Sequence, residues 1–150
     1  MSPAEICALP RRELARTMAA GRAFDPGAIA GSTYRGTSLG LPRWVERLTW
    51  KRFAKTFVGG GGFNTRIEQT GAWRPMLRQG APITFGRFTV VVADGTVVLD
   101  YSVERGPLGA LRDPLVALDD RADLLLGRSL LSIGGRTIPT PSYFLLERAN

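Results

Sequence analysis

Residues 83–103 read ITFGRFTVVVADGTVVLDYSV, and their reading decides the fold class. Ile83 to Val92 is rich in Thr, Phe and Val, which suit the pleated, half-buried surface of a sheet. Ala93-Asp94-Gly95 is a turn signal and Thr96 to Val103 follows as a partner strand, so the segment predicts a β-hairpin. The same two-residue period begins upstream, where Phe63, Thr65 and Ile67 alternate with Asn64, Arg66 and Glu68. Downstream, Arg112–Leu118, Leu124–Ile133 and Thr137–Arg148 read as strands separated by polar or glycine turns at 119–123 and 134–135. Residues 31–39 place β-formers between glycines and supply a first strand. The expectation is seven or eight strands joined by short turns, and short connections force antiparallel neighbours. A meander of this length removes its unpaired edges by curling on itself. The predicted fold is therefore mainly β, an antiparallel up-and-down barrel with one or two N-terminal helices, in one domain over residues 1–150.

Two segments break the two-residue period. Residues 1–25 read as a helical extension: Ser2 is the N-cap, Pro3 the first helical residue and Glu5 completes a capping box, with a break at Pro10. A second helix is predicted over 42–57, after the first strand. Its basic residues Arg43, Arg47, Lys51 and Lys55 recur every four positions and form a ridge. Leu41, Val45 and Leu48 fall on one side, and Trp50, Phe53 and Phe57 nearly opposite. A helix buried on two faces reads as a plug or lid for the barrel. Gly59–Gly62 follows as a loop. It lacks the lysine-serine/threonine continuation of a phosphate loop and precedes a strand, so that chemistry is set aside.

Composition narrows the chemistry. The chain of 150 residues has no histidine. That excludes the usual Ser-His-Asp and Cys-His nucleophilic mechanisms, and histidine-ligated zinc, copper, iron and haem. Acid–base work would fall to Asp, Glu, Tyr, Lys or Cys7. One cysteine allows no internal disulfide, and no apolar run resembles a signal core or a membrane span, so the cytoplasm is the expected setting. The net charge of +7 raises the expectation of an anionic partner.

Three stretches carry a family resemblance. Gly31-Ser32-Thr33-Tyr34-Arg35-Gly36, then Trp50-Lys51-Arg52-Phe53, then Asp113-Pro114 through Leu126-Gly127 to Phe144-Leu145-Leu146-Glu147-Arg148 resemble the calycin barrels, the lipocalin and fatty-acid-binding group. Within it they are most similar to bacterial proteins named for a G-x-W-x-G motif. Tyr34 stands where that motif has tryptophan, and the spacing differs by one residue. The resemblance implies a small barrel with a cavity for an apolar ligand, and no particular reaction. It also implies that a basic residue near the end of the last strand, here Arg148, covers the first-strand aromatic, here Tyr34. That would be a structural cation–π contact worth about 0.5–2 kcal/mol.

The expected function is binding or carriage of a hydrophobic small molecule with an acidic head group. Tyr34, Trp50, Phe53, Phe57, Phe88, Tyr101 and Tyr143 are the candidate aromatic lining. Arg128 and Arg66 are candidate internal guanidiniums for a ligand carboxylate, Arg128 first because its period-two companions Leu126 and Leu130 are apolar. The alternative is a cyclase or isomerase using acid–base groups drawn from Tyr34, Tyr101, Tyr143, Asp100, Asp113 and Glu147. No metal or cofactor is expected. Weak contact with an anionic surface through Arg43, Arg47, Lys51 and Lys55 is a secondary expectation, with no specific nucleic acid.

Overall fold

The computed structural model describes residues 1–42 and 50–149. The N-terminal helix is divided at Pro10 into α1 (Pro3–Cys7) and α2 (Arg11–Ala20). The capping box is made: Ser2 N donates to the Glu5 carboxylate at 2.6 Å and Glu5 N donates to Ser2 Oγ at 3.3 Å. A 3-10 turn at Pro26–Ala28 leads into the sheet. Its strands are β1 (Thr33–Leu39), β2 (Arg52–Val58), β3 (Gly61–Arg66), β4 (Leu77–Arg78), β5 (Ala81–Pro82), β6 (Thr84–Ala93), β7 (Thr96–Asp100), β8 (Leu111–Ala117), β9 (Leu124–Ile133) and β10 (Arg136–Arg148). Eight of them close an antiparallel barrel in the order β1-β10-β9-β8-β7-β6-β3-β2, and β4 with β5 forms a separate small ribbon. The β6–β7 hairpin turns at Asp94 and Gly95, whose φ angles of 50° and 75° match the strands' twist. The barrel is the architecture of the calycin group.

The helix expected over 42–57 is corrected by β2. Residues 52–58 form a strand paired with β1 on one side and β3 on the other. Phe53, Lys55 and Phe57 are buried, whereas the side chains between them are more open. The four-residue recurrence of basic side chains misled because the apolar positions 53 and 57 also satisfy a helical spacing. Two neighbouring strands offer this segment full hydrogen-bond ladders, and that tertiary pairing overrides local propensity. Arg43 and Arg47, half of the basic ridge, lie outside the described residues.

Two apolar clusters hold the structure. One fills the barrel, with Tyr34, Phe57, Phe88, Leu99, Leu115 and Leu125 among its members. The other lies outside the barrel, where Ile6 and Leu14 of the helices meet Leu39, Leu126, Tyr143 and Leu145. Strands β9 and β10 are thus buried on both faces, which is why 124–126 and 143–146 read as unbroken apolar runs.

Arg148 ties the ends of the barrel together. Its guanidinium carbon stands 5.0 Å from the centre of the Tyr34 ring, the contact that the resemblance implied. Its Nε donates to Asp123 Oδ1 at 2.6 Å, Nη2 donates to Ala28 O at 2.8 Å, and Nη1 donates to Ser32 Oγ. Tyr34 OH donates to Ala122 O at 2.6 Å. One cation therefore fastens the last strand, the turn before β9 and the approach to β1. Arg148→Met is expected to destabilise the fold by about 2 kcal/mol, the cost of losing charge-assisted bonds at a partly exposed site. The check is urea unfolding, with a lower midpoint at an unchanged m-value.

Candidate functional site

The alternation that builds each strand sends every second side chain inward. Around the packed half of the barrel these are large and apolar, with the rings of Tyr34 and Phe57 5.6 Å apart, edge to face. The other half keeps a cavity of about 340 Å³. Phe53 and Phe144 form part of its wall, edge to face at 6.2 Å. Glycines make room for both rings. A Cβ on Gly36 would stand 2.3 Å from the Phe53 ring, and one on Gly127 would stand 2.2 Å from the Phe144 ring. Trp50, Phe85 and Leu111 add apolar surface, while Ser38, Ser129 and Ser142 add hydroxyls.

A lysine stands in this apolar interior. Lys55 is 2% exposed, and its Nζ donates to Asn64 Oδ1 and to Tyr101 OH, each at 2.7 Å. Asn64 in turn donates from Nδ2 to Gly86 O at 3.0 Å. Gly86 has a φ of 58°, in the region that favours glycine, and a Cβ there would meet Asn64 Nδ2 at 2.8 Å. The lysine therefore rests on a bracket of polar groups built from three strands and the end of β7. Four rings face its ammonium, Phe88 at 4.9 Å, Tyr101 and Phe144 at 5.4 Å and Phe53 at 5.5 Å. Their negative faces recover part of the hydration that burial removes.

Asp113, on β8, lines the same cavity and is also buried. Its Oδ1 has no hydrogen-bond partner, a costly condition for a buried carboxylate. Burial pushes the Asp113 carboxyl up to about 6, an effect opposed by the Lys55 charge and by hydrogen bonds from Ser129 and Tyr101. Burial pulls the Lys55 amine down to about 8, opposed in turn by Asp113. Tyr101 is held well above the ordinary phenol range by burial and by the Asp113 charge. Having accepted from Lys55, the Tyr101 hydroxyl directs its own proton to Asp113. The cavity thus brings together an amine, a carboxyl and a phenol, two of them able to change charge near neutral pH.

The structure sorts the sequence-predicted residues by position. Trp50, Phe53 and Tyr101 line the cavity, and Phe88 faces the Lys55 ammonium. Tyr34 and Phe57 belong to the packed half instead. Arg66 is beside the cavity aromatics, its guanidinium 4.0 Å over Trp50 and 5.7 Å from Phe85, with Nε buried and without a hydrogen-bond partner. Arg128 and Tyr143 are not in the site. Tyr143 packs under the N-terminal helices, and Arg128 stacks on it at 5.0 Å while donating to Thr140 O. The apolar company of Arg128 is the outer, helix-covered face of β9, so an apolar period there did not mean inward. Among the acid–base candidates, Asp100 pairs with Arg112 at 3.4 Å, away from the cavity. The four-residue spacing puts Lys55 on the basic ridge, yet Phe53-x-Lys55-x-Phe57 at a period of two carries the signal that places it inside.

The chain matches no protein-family model and no curated protein. Among the described residues no group of three or more Cys, Asp or Glu side chains is placed to hold a metal. What the arrangement offers is donors, one carboxyl and apolar walls.

Both buried charges leave a mark on stability. Between the ordinary carboxyl value and about pH 6 the folded Asp113 holds a proton that the unfolded chain has lost, so stability falls as pH rises through that interval. Between about pH 8 and the ordinary lysine value the unfolded chain holds a proton that folded Lys55 has lost, so stability rises there. Urea midpoints across pH 4–10 in wild type and Asp113→Asn measure this. The variant is expected to lose the acid slope and keep the alkaline one, and an unchanged acid slope would show that Asp113 is not its source.

Proposed function

We propose that this protein binds or carries a hydrophobic small molecule inside the barrel, with an oxygen-bearing head group held at Lys55. The observation that carries the reading is a buried ammonium, already oriented by two neutral acceptors, standing in a cavity with aromatic walls. Two of its three protons are used, and the third is available to a ligand oxygen. The volume falls at the small end of the range usual for small-molecule sites, roughly 300–1,000 Å³. An acidic head suits Lys55, but it must share the cavity with Asp113. Acid binding is therefore coupled to proton uptake by that carboxyl. We place the chain nearest the G-x-W-x-G proteins of the calycin group, on the strength of the 31–36, 50–53 and 113–148 stretches, and take the cytoplasm as its setting, which the lone cysteine favours. Contact with an anionic surface is a weaker proposal, since Lys55 faces inward.

Calorimetry with 5-phenylpentanoate and 5-phenylpentanol tests the reading. Both are expected to bind wild type, the acid more tightly at pH 5.5 than at pH 7.5. Lys55→Met is expected to weaken the acid by roughly ten- to a hundredfold, the worth of a charge-assisted hydrogen bond, and the alcohol by less. Failure of both compounds to bind at millimolar concentration would remove the proposal.

A second reading, an isomerase, is favoured by one observation. Asp113 lines, as a base would, the cavity where Lys55 and Tyr101 offer donors to a developing oxyanion. Deuterium exchange α to the carbonyl of 5-phenyl-2-pentanone in D₂O is the measurement. Under this reading Asp113→Asn slows the exchange by at least about a hundredfold, whereas exchange no faster than in buffer leaves binding alone.

A further inference from the structure

We propose that Lys55 is a covalent capture site, its amine condensing with the carbonyl group of an apolar aldehyde or ketone to form an imine inside the barrel. This rests on the binding reading above and commits it to a substrate class. The geometry supplies each part. Nζ lies on the cavity wall within 2.7 Å of the Tyr101 oxygen, so the group that must give a proton adjoins the group that must attack. Asp113 lines the same cavity and is hydrogen-bonded to Tyr101. The rings of Phe53, Phe88, Tyr101 and Phe144 surround the nitrogen and suit an apolar ligand body.

Charge balance selects the carbonyl over the acid at neutral pH. With Lys55 cationic and Asp113 anionic the cavity is already neutral. A ligand carboxylate would add an unbalanced buried charge, and a neutral carbonyl adds none. The step conserves atoms and electrons. Asp113 takes the Tyr101 proton as Tyr101 takes one from the ammonium, and the freed Nζ lone pair attacks the carbonyl carbon. A C–N bond forms while the carbonyl π pair moves to oxygen, which takes the Tyr101 proton, and Tyr101 takes one of the two protons left on nitrogen, giving a carbinolamine. The nitrogen then gives up its remaining proton, the C–O bond breaks with its electron pair leaving on oxygen, and a second proton completes water. Amine and carbonyl become imine and water, with no oxidant or reductant. Hydrolysis reverses the step and frees the ligand. Burial assists by keeping part of the amine neutral, since its pKa is pulled down to about 8.

The chain has two lysines, Lys51 and Lys55, and Lys51 is exposed, so the protein contains its own control. Wild type is incubated at pH 7 with 5-phenylpentanal and sodium cyanoborohydride, which reduces the imine to a secondary amine, and adducts are located by peptide mass spectrometry. Lys55 is expected to label at least about tenfold faster than Lys51, as holding the aldehyde against the attacking amine requires. Its labelling is expected to saturate with aldehyde and to be competed by 5-phenylpentanol, unlike that of the Met1 amine. Lys55→Arg is expected to remove the competed adduct alone. Should the alcohol bind while Lys55 labels no faster than Lys51, imine capture is overturned and the binding reading stands. Should neither alcohol nor aldehyde engage the protein, both fall together.

Discussion

Closure of the barrel is the constraint on which everything else depends. Strand β1 is hydrogen-bonded on one side to β2 and on the other to β10, so the first and last thirds of the chain meet along one ladder. Closure leaves the eight barrel strands without an edge and forces each to divide its side chains between an inside and an outside. An inward position carries the burial cost of whatever side chain occupies it. For most strands that side chain is apolar. For β2, β3 and β8 it includes Lys55, Asn64 and Asp113, and those exceptions make the site.

The exceptions support one another. A lone buried lysine would be expected to shed its proton or drag water inward, and a lone buried carboxyl to remain protonated. Together, with Tyr101 between them and rings around the ammonium, each moderates the other's burial. The residual mismatch survives in the Asp113 oxygen that nothing bonds. The rest of that carboxylate is steadied by the hydroxyls of Ser129 and Tyr101, as buried polar groups usually are. An amine, a phenol and a carboxyl sharing one cavity wall turn a packing description into a functional one.

The legibility of these features in the chain was uneven for physical reasons. The 83–103 hairpin, the strands from 111 to 148, the capping box and the Arg148–Tyr34 contact were all visible, since each depends on local periodicity or a short motif. Strand β2 was hidden. Phe53 and Phe57 lie four apart and Lys51 and Lys55 lie four apart, which satisfies a helix as readily as a strand, and only pairing with β1 and β3 decides between them. Arg128 and Tyr143 were misplaced because an apolar stripe reports burial without saying on which side of the wall. The second apolar layer under α1 and α2 made the outer face of β9 and β10 look like the inner one. Asp113 was legible as a carboxyl on a strand, but its partner Lys55 was not, so the cluster could not be assembled from sequence.

That double burial has a further consequence for β10. Sliding a strand by one residue exchanges its two faces, and normally the exposure of apolar groups forbids it. Here Tyr143 and Leu145 on one face and Phe144 and Leu146 on the other are all buried, so hydrophobicity alone is nearly indifferent to a slip. The strand must be indexed by something directional. Arg148 is that index: its fan of bonds to Asp123, Ser32 and Ala28 can be satisfied in one alignment only. By fixing the phase of β10, a guanidinium at the closed end of the barrel determines that Ser142 and Phe144, not their neighbours, face the chamber at the other.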